Sequence, residues 1–127
     1  MSSRGSYIKN GHVTTEEYYS EKEVHGAKVL VGRTKASHGL PDYSHSPSRI
    51  YIKENKDGSF RELRIYDDKG YPVLEVGYHP EPSLTHGSTK SILHMHKFGE
   101  GLIRYPADFI DDDTYKTLKG ILEAYGL

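Results

Sequence analysis

His94 and His96 lie two residues apart in the stretch 91–98, where Leu93 and Met95 alternate with them. On an extended chain, residues two apart point to the same side with Cα atoms about 6.6 Å apart. Two imidazoles at that spacing can share a metal ion, flank one phosphate, or divide the acid and base roles of a proton transfer, because histidine titrates near neutrality. One such pair does not complete a metal site, which wants a third and a fourth ligand. His79 and His86 are close in sequence and Glu75 falls on the same expected face, so the candidate ligands for a divalent metal are His94, His96, His79 and His86. The plainer alternative is a row of solvated polar side chains on the outside of a sheet.

A second group consists of Tyr51, Glu62, Arg64 and Tyr66. Metal-independent ribonucleases need a base for the 2′-OH proton, an acid for the leaving oxygen and a cation for the charge on phosphorus. His94 and His96 with Arg64 could supply these parts, since the guanidinium fork matches phosphate oxygens. Tyr51 and Tyr66 would then position a base or sugar, with His79 beside them. Arg64 could instead pair across strands with Glu62 or Glu75, as charges on exposed sheets commonly do. The loop 38–48 holds two further groups able to contact a polar ligand, Tyr43 and His45; its Asp42 and Ser46 suit turns.

The elements that would position these groups can be read from spacing. Residues 49–79 contain three alternating segments separated by Asn55-Lys56-Asp57-Gly58 and Asp67-Asp68-Lys69-Gly70, both with the chemistry of tight turns. This predicts an antiparallel meander with 91–98 as a fourth strand. Alternation puts Ile50, Ile52, Leu63, Ile65, Leu74, Val76, Leu93 and Met95 on a core face. The opposite face then carries Tyr51, Arg64, Tyr66, Glu75, His79, His94 and His96. Residues 28–32 read as a short strand. Thr14 and Glu17 have the spacing of a capping box, which predicts a short helix over 14–22. Asp111-Asp112-Asp113 followed by Tyr115, Leu118, Ile121, Leu122 and Tyr125 predicts an amphipathic helix over 111–126, stopped by Gly126.

The chain has 127 residues, 17 Lys+Arg against 18 Asp+Glu, and eight His but no Cys. The length fits one domain over 1–127, with a loosely held arm over 1–12. The near-zero charge confines any phosphate recognition to a local site. Lack of cysteine excludes thiolate zinc, iron–sulfur and cysteine-nucleophile chemistry. There is no apolar run of membrane-spanning length and no hydrophobic leader after Met1, so no membrane partner and a cytoplasmic location are expected. No Gly-rich phosphate loop, nucleophile elbow, His-Glu-x-x-His or dinucleotide fingerprint occurs.

The run Leu40-Pro41-x-Tyr43-Ser44-x-Ser46-Pro47, then Ile50-Tyr51-Ile52-Lys53, Asp57-Gly58, Glu62-x-Arg64-x-Tyr66-Asp67-x-Lys69-Gly70 and His94-x-His96 resembles a small His-rich domain at the C-termini of phage minor head proteins and bacterial polymorphic toxins. The resemblance covers about residues 39–97. Members of that group tend to end in Pro-His-x-His, where this chain has Leu93-His94-x-His96, and the insert from His79-Pro80 to His86-Gly87 is variable. It implies a phage or mobile-element origin and a toxin-like nuclease activity, or a role in assembly or binding.

The expected fold is α+β, with a mainly antiparallel sheet of four or five strands and a C-terminal helix packed on one face. The leading functional expectation is a ribonuclease or other phosphodiesterase with RNA as partner and no cofactor. The alternatives are a non-catalytic module that binds a protein partner, and a His-based divalent-metal-binding domain.

Overall fold

A computed structural model describes residues 7–9, 12–14, 18–32, 40–44 and 49–127. Ten strands occur among them: β1 (Tyr7–Lys9), β2 (His12–Thr14), β3 (Tyr18–Val24), β4 (Ala27–Gly32), β5 (Tyr43–Ser44), β6 (Ile50–Glu54), β7 (Phe60–Tyr66), β8 (Pro72–Pro80), β9 (Ser91–Lys97) and β10 (Asp108–Phe109). A short helix α1 (Pro82–Thr85) joins β8 to β9, and helix α2 (Asp112–Ala124) closes the chain. The main sheet has seven strands in the order β10-β9-β8-β7-β6-β4-β3, and β2-β1-β5 form a small second sheet.

The expectation of four or five mainly antiparallel strands is therefore corrected. The meander and the fourth strand are present, but β4 joins β6 in parallel, and β3 and β10 extend the two ends. A parallel neighbour leaves no tight-turn signal, because its connection is long and its ends lie far apart in sequence. The helix expected over 14–22 is also replaced, since Tyr18–Val24 is strand and pairs with β4. A capping-box spacing without an apolar stripe behind it cannot hold a helix against strand pairing by Tyr and Val. The local signal for strand pairing here is His25-Gly26, whose φ values of 47° and 82° turn β3 into β4. Of the arm over 1–12, Tyr7–Lys9 and His12 belong to the small sheet.

The two meander turns form as their residues dictate. Asp57 accepts hydrogen bonds from the Ser59 N–H and hydroxyl, Asp67 accepts from the Lys69 and Tyr71 N–H groups, and Gly58 and Gly70 take positive φ. Gly70 has a second role: the Ser44 N–H donates to its carbonyl at 2.9 Å, and a Cβ there would stand 2.0 Å from the Ser44 carbonyl oxygen. Glycine is what lets β5 lie against this turn.

Helix α2 starts where the three aspartates predict. Asp111 caps it by accepting from the Thr114 N–H at 2.7 Å, and Gly126 follows its end at φ 79°. Leu118, Ile121 and Leu122 bury their side chains in one core with Val29, Ile52, Phe60, Leu63, Val76 and Met95. Ile50, Ile65, Leu74 and Leu93 pack against the same cluster, so all eight alternating positions face the helix.

The opposite face is not open along its whole length. Leu30, Leu40, Tyr51 and Tyr66 form a second buried cluster beneath Leu40–Ser44. Ser44 donates its hydroxyl to Tyr51 Oη at 2.7 Å, and Tyr66 Oη donates to the Pro41 carbonyl. Tyrosine satisfies alternation on a wet face as readily as on a covered one, so the pattern alone could not show this cover. Among the described residues, no helix is long and apolar enough to cross a membrane.

Candidate functional site

Strands β8 and β9 pair in register over seven residues, with Gly77 opposite His94, Glu75 opposite His96 and His79 opposite Ile92. This alignment collects imidazoles from both strands on the face away from α2. The His79 and His94 rings meet edge to face with centroids 4.5 Å apart, and His94 and His96 do so at 5.7 Å. Room for the rings comes from Gly77. A Cβ at that position would lie 2.9 Å from His79 Nε2 and 3.0 Å from His94 Nε2, so both nitrogens converge over a residue without a side chain.

Backbone carbonyls orient each ring. His79 Nδ1 is 3.0 Å from the Pro80 oxygen, His94 Nδ1 is 2.8 Å from that of Ile92, and His96 Nδ1 is 2.8 Å from that of Tyr105. A carbonyl only accepts, so the neutral rings carry hydrogen on Nδ1 and present the lone pair of Nε2. Histidine ligands are commonly fixed in this way from the far side of the ring. His94 is fully buried, and among the described residues its Nε2 has no hydrogen-bond partner. Burial, reinforced by the neighbouring His79, lowers its pKa and favours the neutral, ligating form.

Glu81 adds a carboxylate. It lies between β8 and α1, where Ser83 donates its hydroxyl to Oε1 at 2.6 Å, and Oε2 stands 3.9 Å from His94 Nε2. The Ser83 hydrogen bond holds the Glu81 carboxyl below its usual range. His79, Glu81 and His94 form a group that could hold a metal ion, each offering one ligand atom, all within 4.8 Å of one another. Donor atoms of a tetrahedral zinc site stand about 3.3 Å apart, so a modest closing of the three side chains would suffice. His96 lies outside this set although its ring touches that of His94.

The other expected residues have different surroundings. Arg64 shares the face but donates to Glu75 at 2.9 Å and to the Pro41 carbonyl at 3.1 Å, filling the cross-strand ion-pair role. Arg104 donates to the second oxygen of Glu75 at 3.2 Å. Tyr51 and Tyr66 are buried under Leu40–Ser44 rather than presented to a ligand. Tyr43 packs edge to face on Tyr71, with centroids 5.2 Å apart. His86 ends α1 in a left-handed conformation and is not part of the metal-competent group. His45 lies outside the described residues.

Two residues went unread in the sequence, Glu81 and Gly77. The spacing His79-x-Glu81 carries the same two-residue signal as His94-x-His96, but it falls in the stretch from His79-Pro80 to His86-Gly87, which the resemblance treats as a variable insert. Gly77 is a lone glycine inside a strand, which marks a place where another group approaches closely. No protein-family model, no curated protein and no solved structure matches this chain.

Proposed function

We propose that this protein is a metal-binding domain in which His79 Nε2, His94 Nε2 and a Glu81 carboxylate oxygen hold one divalent transition-metal ion. The observation that carries the reading is the buried His94 Nε2, unpartnered among the described residues and aimed with His79 Nε2 over Gly77, beside a carboxylate 3.9 Å away. A buried acceptor left without a partner costs stability, and a cation would remove that cost. Two imidazoles and one carboxylate suit zinc and its first-row neighbours better than magnesium or calcium, which prefer oxygen.

The metal-free phosphodiesterase reading uses the same histidines but asks Arg64 to meet a phosphate, and Arg64 is engaged with Glu75 and Pro41. Three protein ligands leave a coordination position for water or substrate, as catalytic zinc sites do, whereas purely structural sites use four. The test is metal analysis of protein purified without a polyhistidine tag and dialysed against Zn²⁺. One ion per chain, lost in His94→Ala and in Glu81→Ala, supports the reading; a folded protein that retains no ion refutes it.

A further inference from the structure

Beyond β9 the chain turns back on itself. The Gly99 N–H donates to the Ile103 carbonyl at 2.8 Å, the Tyr105 N–H donates to the Lys97 carbonyl at 2.9 Å, and Phe98 pairs with Arg104. Gly101 and Leu102 make the bend, with φ 69° and 64°. Two consecutive positive φ angles are what a type I′ hairpin turn requires, and glycine, asparagine or aspartate normally supplies them. A bulky L side chain is strained in that region. Glycine at 102 would carry the turn without the strain. What leucine adds is apolar surface, and Leu102 lines a cavity of about 670 Å³. Strain kept at such a place points to a binding role.

The same cavity is lined by Tyr43, Tyr71, Val73 and Phe98, and its volume falls in the range of small-molecule sites. Its aromatic walls are already fixed. Tyr43 and Tyr71 meet edge to face with centroids 5.2 Å apart, and the Arg64 guanidinium stacks 5.1 Å from the Phe98 ring centroid. Tyr71 is 53% exposed and Val73 41%, so apolar surface at the cavity remains in water and a ligand would remove it. Two turns, 67–70 and 99–102, each bring one exposed charge to the lining: Lys69 from the first and Glu100 from the second. Among the described residues neither makes an ion pair. Asp67, the other acid here, accepts from the Lys69 and Tyr71 N–H groups.

We propose that this cavity binds a short zwitterionic peptide, its apolar side chains against Tyr71, Phe98 and Leu102, its carboxylate at Lys69 and its ammonium at Glu100. A ligand with only negative charge would be opposed by Glu100, and one with only positive charge by Lys69. A ligand that carries both charges around an apolar body meets every wall with its complement. The site is separate from the His79, Glu81 and His94 group, since Phe98 follows His94 by four residues, about 13 Å along an extended chain. The proposal does not depend on a metal ion at that group.

Titration of isotope-labelled protein with the dipeptide Leu-Phe, followed by amide chemical shifts, tests this. Saturable shifts should centre on residues 69–73 and 98–102. N-acetyl-Leu-Phe amide, which lacks both charges, should bind at least about fivefold more weakly. Lys69→Met and Glu100→Gln, both at exposed positions, should each weaken Leu-Phe by about two- to fivefold. Leu102→Gly should weaken it by about fivefold or more, while the thermal midpoint holds or rises as the strain is released. Absence of saturable shifts up to about 10 mM dipeptide, shifts confined to other parts of the fold, or equal binding of the capped dipeptide overturns the proposal. So does Leu102→Gly with a lowered midpoint and undiminished affinity, which would assign the leucine to the fold alone.

Discussion

His79 and His94, on adjacent strands, turn their Nε2 atoms toward one point above Gly77, with ring centroids 4.5 Å apart. They are not direct cross-strand partners: His79 stands opposite Ile92 and His94 opposite Gly77. The convergence is diagonal, and the missing side chain at 77 permits it.

Gly77→Ala follows directly from that relationship. The added methyl would lie 2.9–3.0 Å from both nitrogens, closer than carbon and nitrogen rest against each other. Metal affinity should fall by about tenfold or more, as on disturbing ligand orientation in metal sites generally. Calorimetric titration with Zn²⁺ measures it, and circular dichroism should show the sheet retained.

Arg64→Ala acts on the ion pair beside the site and not on the metal ligands. The side chain neutralises Glu75 and holds the Pro41 carbonyl, so its loss leaves a buried carboxylate with Arg104 as its remaining cation and loosens Leu40–Ser44. Breaking a buried pair typically costs about 3–5 kcal/mol; partial access to solvent and the surviving Arg104 should bring this case to about 2 kcal/mol. Urea unfolding should show that loss while Zn²⁺ affinity changes little. A direct role for Arg64 at the metal would give the reverse pattern.

The pH dependence of stability should carry the mark of Glu62. Its carboxyl is raised from 4.5 to about 7, so the folded state binds this proton more tightly than the unfolded chain. That contribution is fully present below about pH 4.5 and is lost as pH rises through about 7. Glu62→Gln keeps a hydrogen-bonding amide and removes the titration. Urea unfolding of the metal-free proteins should show the variant gaining on wild type by roughly 1–2 kcal/mol between pH 5 and pH 8.

Leu122→Ala tests the layer beneath the site. Leu122 is fully buried where α2 meets the sheet, and a truncation of this kind costs about 2–5 kcal/mol. Thermal unfolding should record a clear drop in midpoint, with Zn²⁺ stoichiometry unchanged at temperatures where the variant is folded.

Much of this arrangement was legible in the sequence, for reasons that can be named. Alternation in Ile50, Ile52, Leu63, Ile65, Leu74, Val76, Leu93 and Met95 showed the helix-facing side, and the Asp-Gly turns showed the meander. The same alternation set His79, His94 and His96 on one face. What it could not show was anything that arrives from elsewhere in the chain. The parallel partner β4 and the Leu40–Ser44 cover both come from residues distant from the face they complete. Glu81 comes from a proline-flanked connection with no period of its own. Arg64 looked free because ion pairs between strands depend on register, which residue types alone leave open.

The role of the His79, Glu81 and His94 cluster turns on whether it binds a metal ion. Calorimetric titration of tag-free protein with Zn²⁺ at neutral pH, beside His79→Ala and His94→Ala, measures this. One site per chain with Kd of about 1 μM or tighter, weakened by about 100-fold or more in each folded variant, is the expected result. Absence of binding by the wild type, or binding undiminished in both variants, would contradict it.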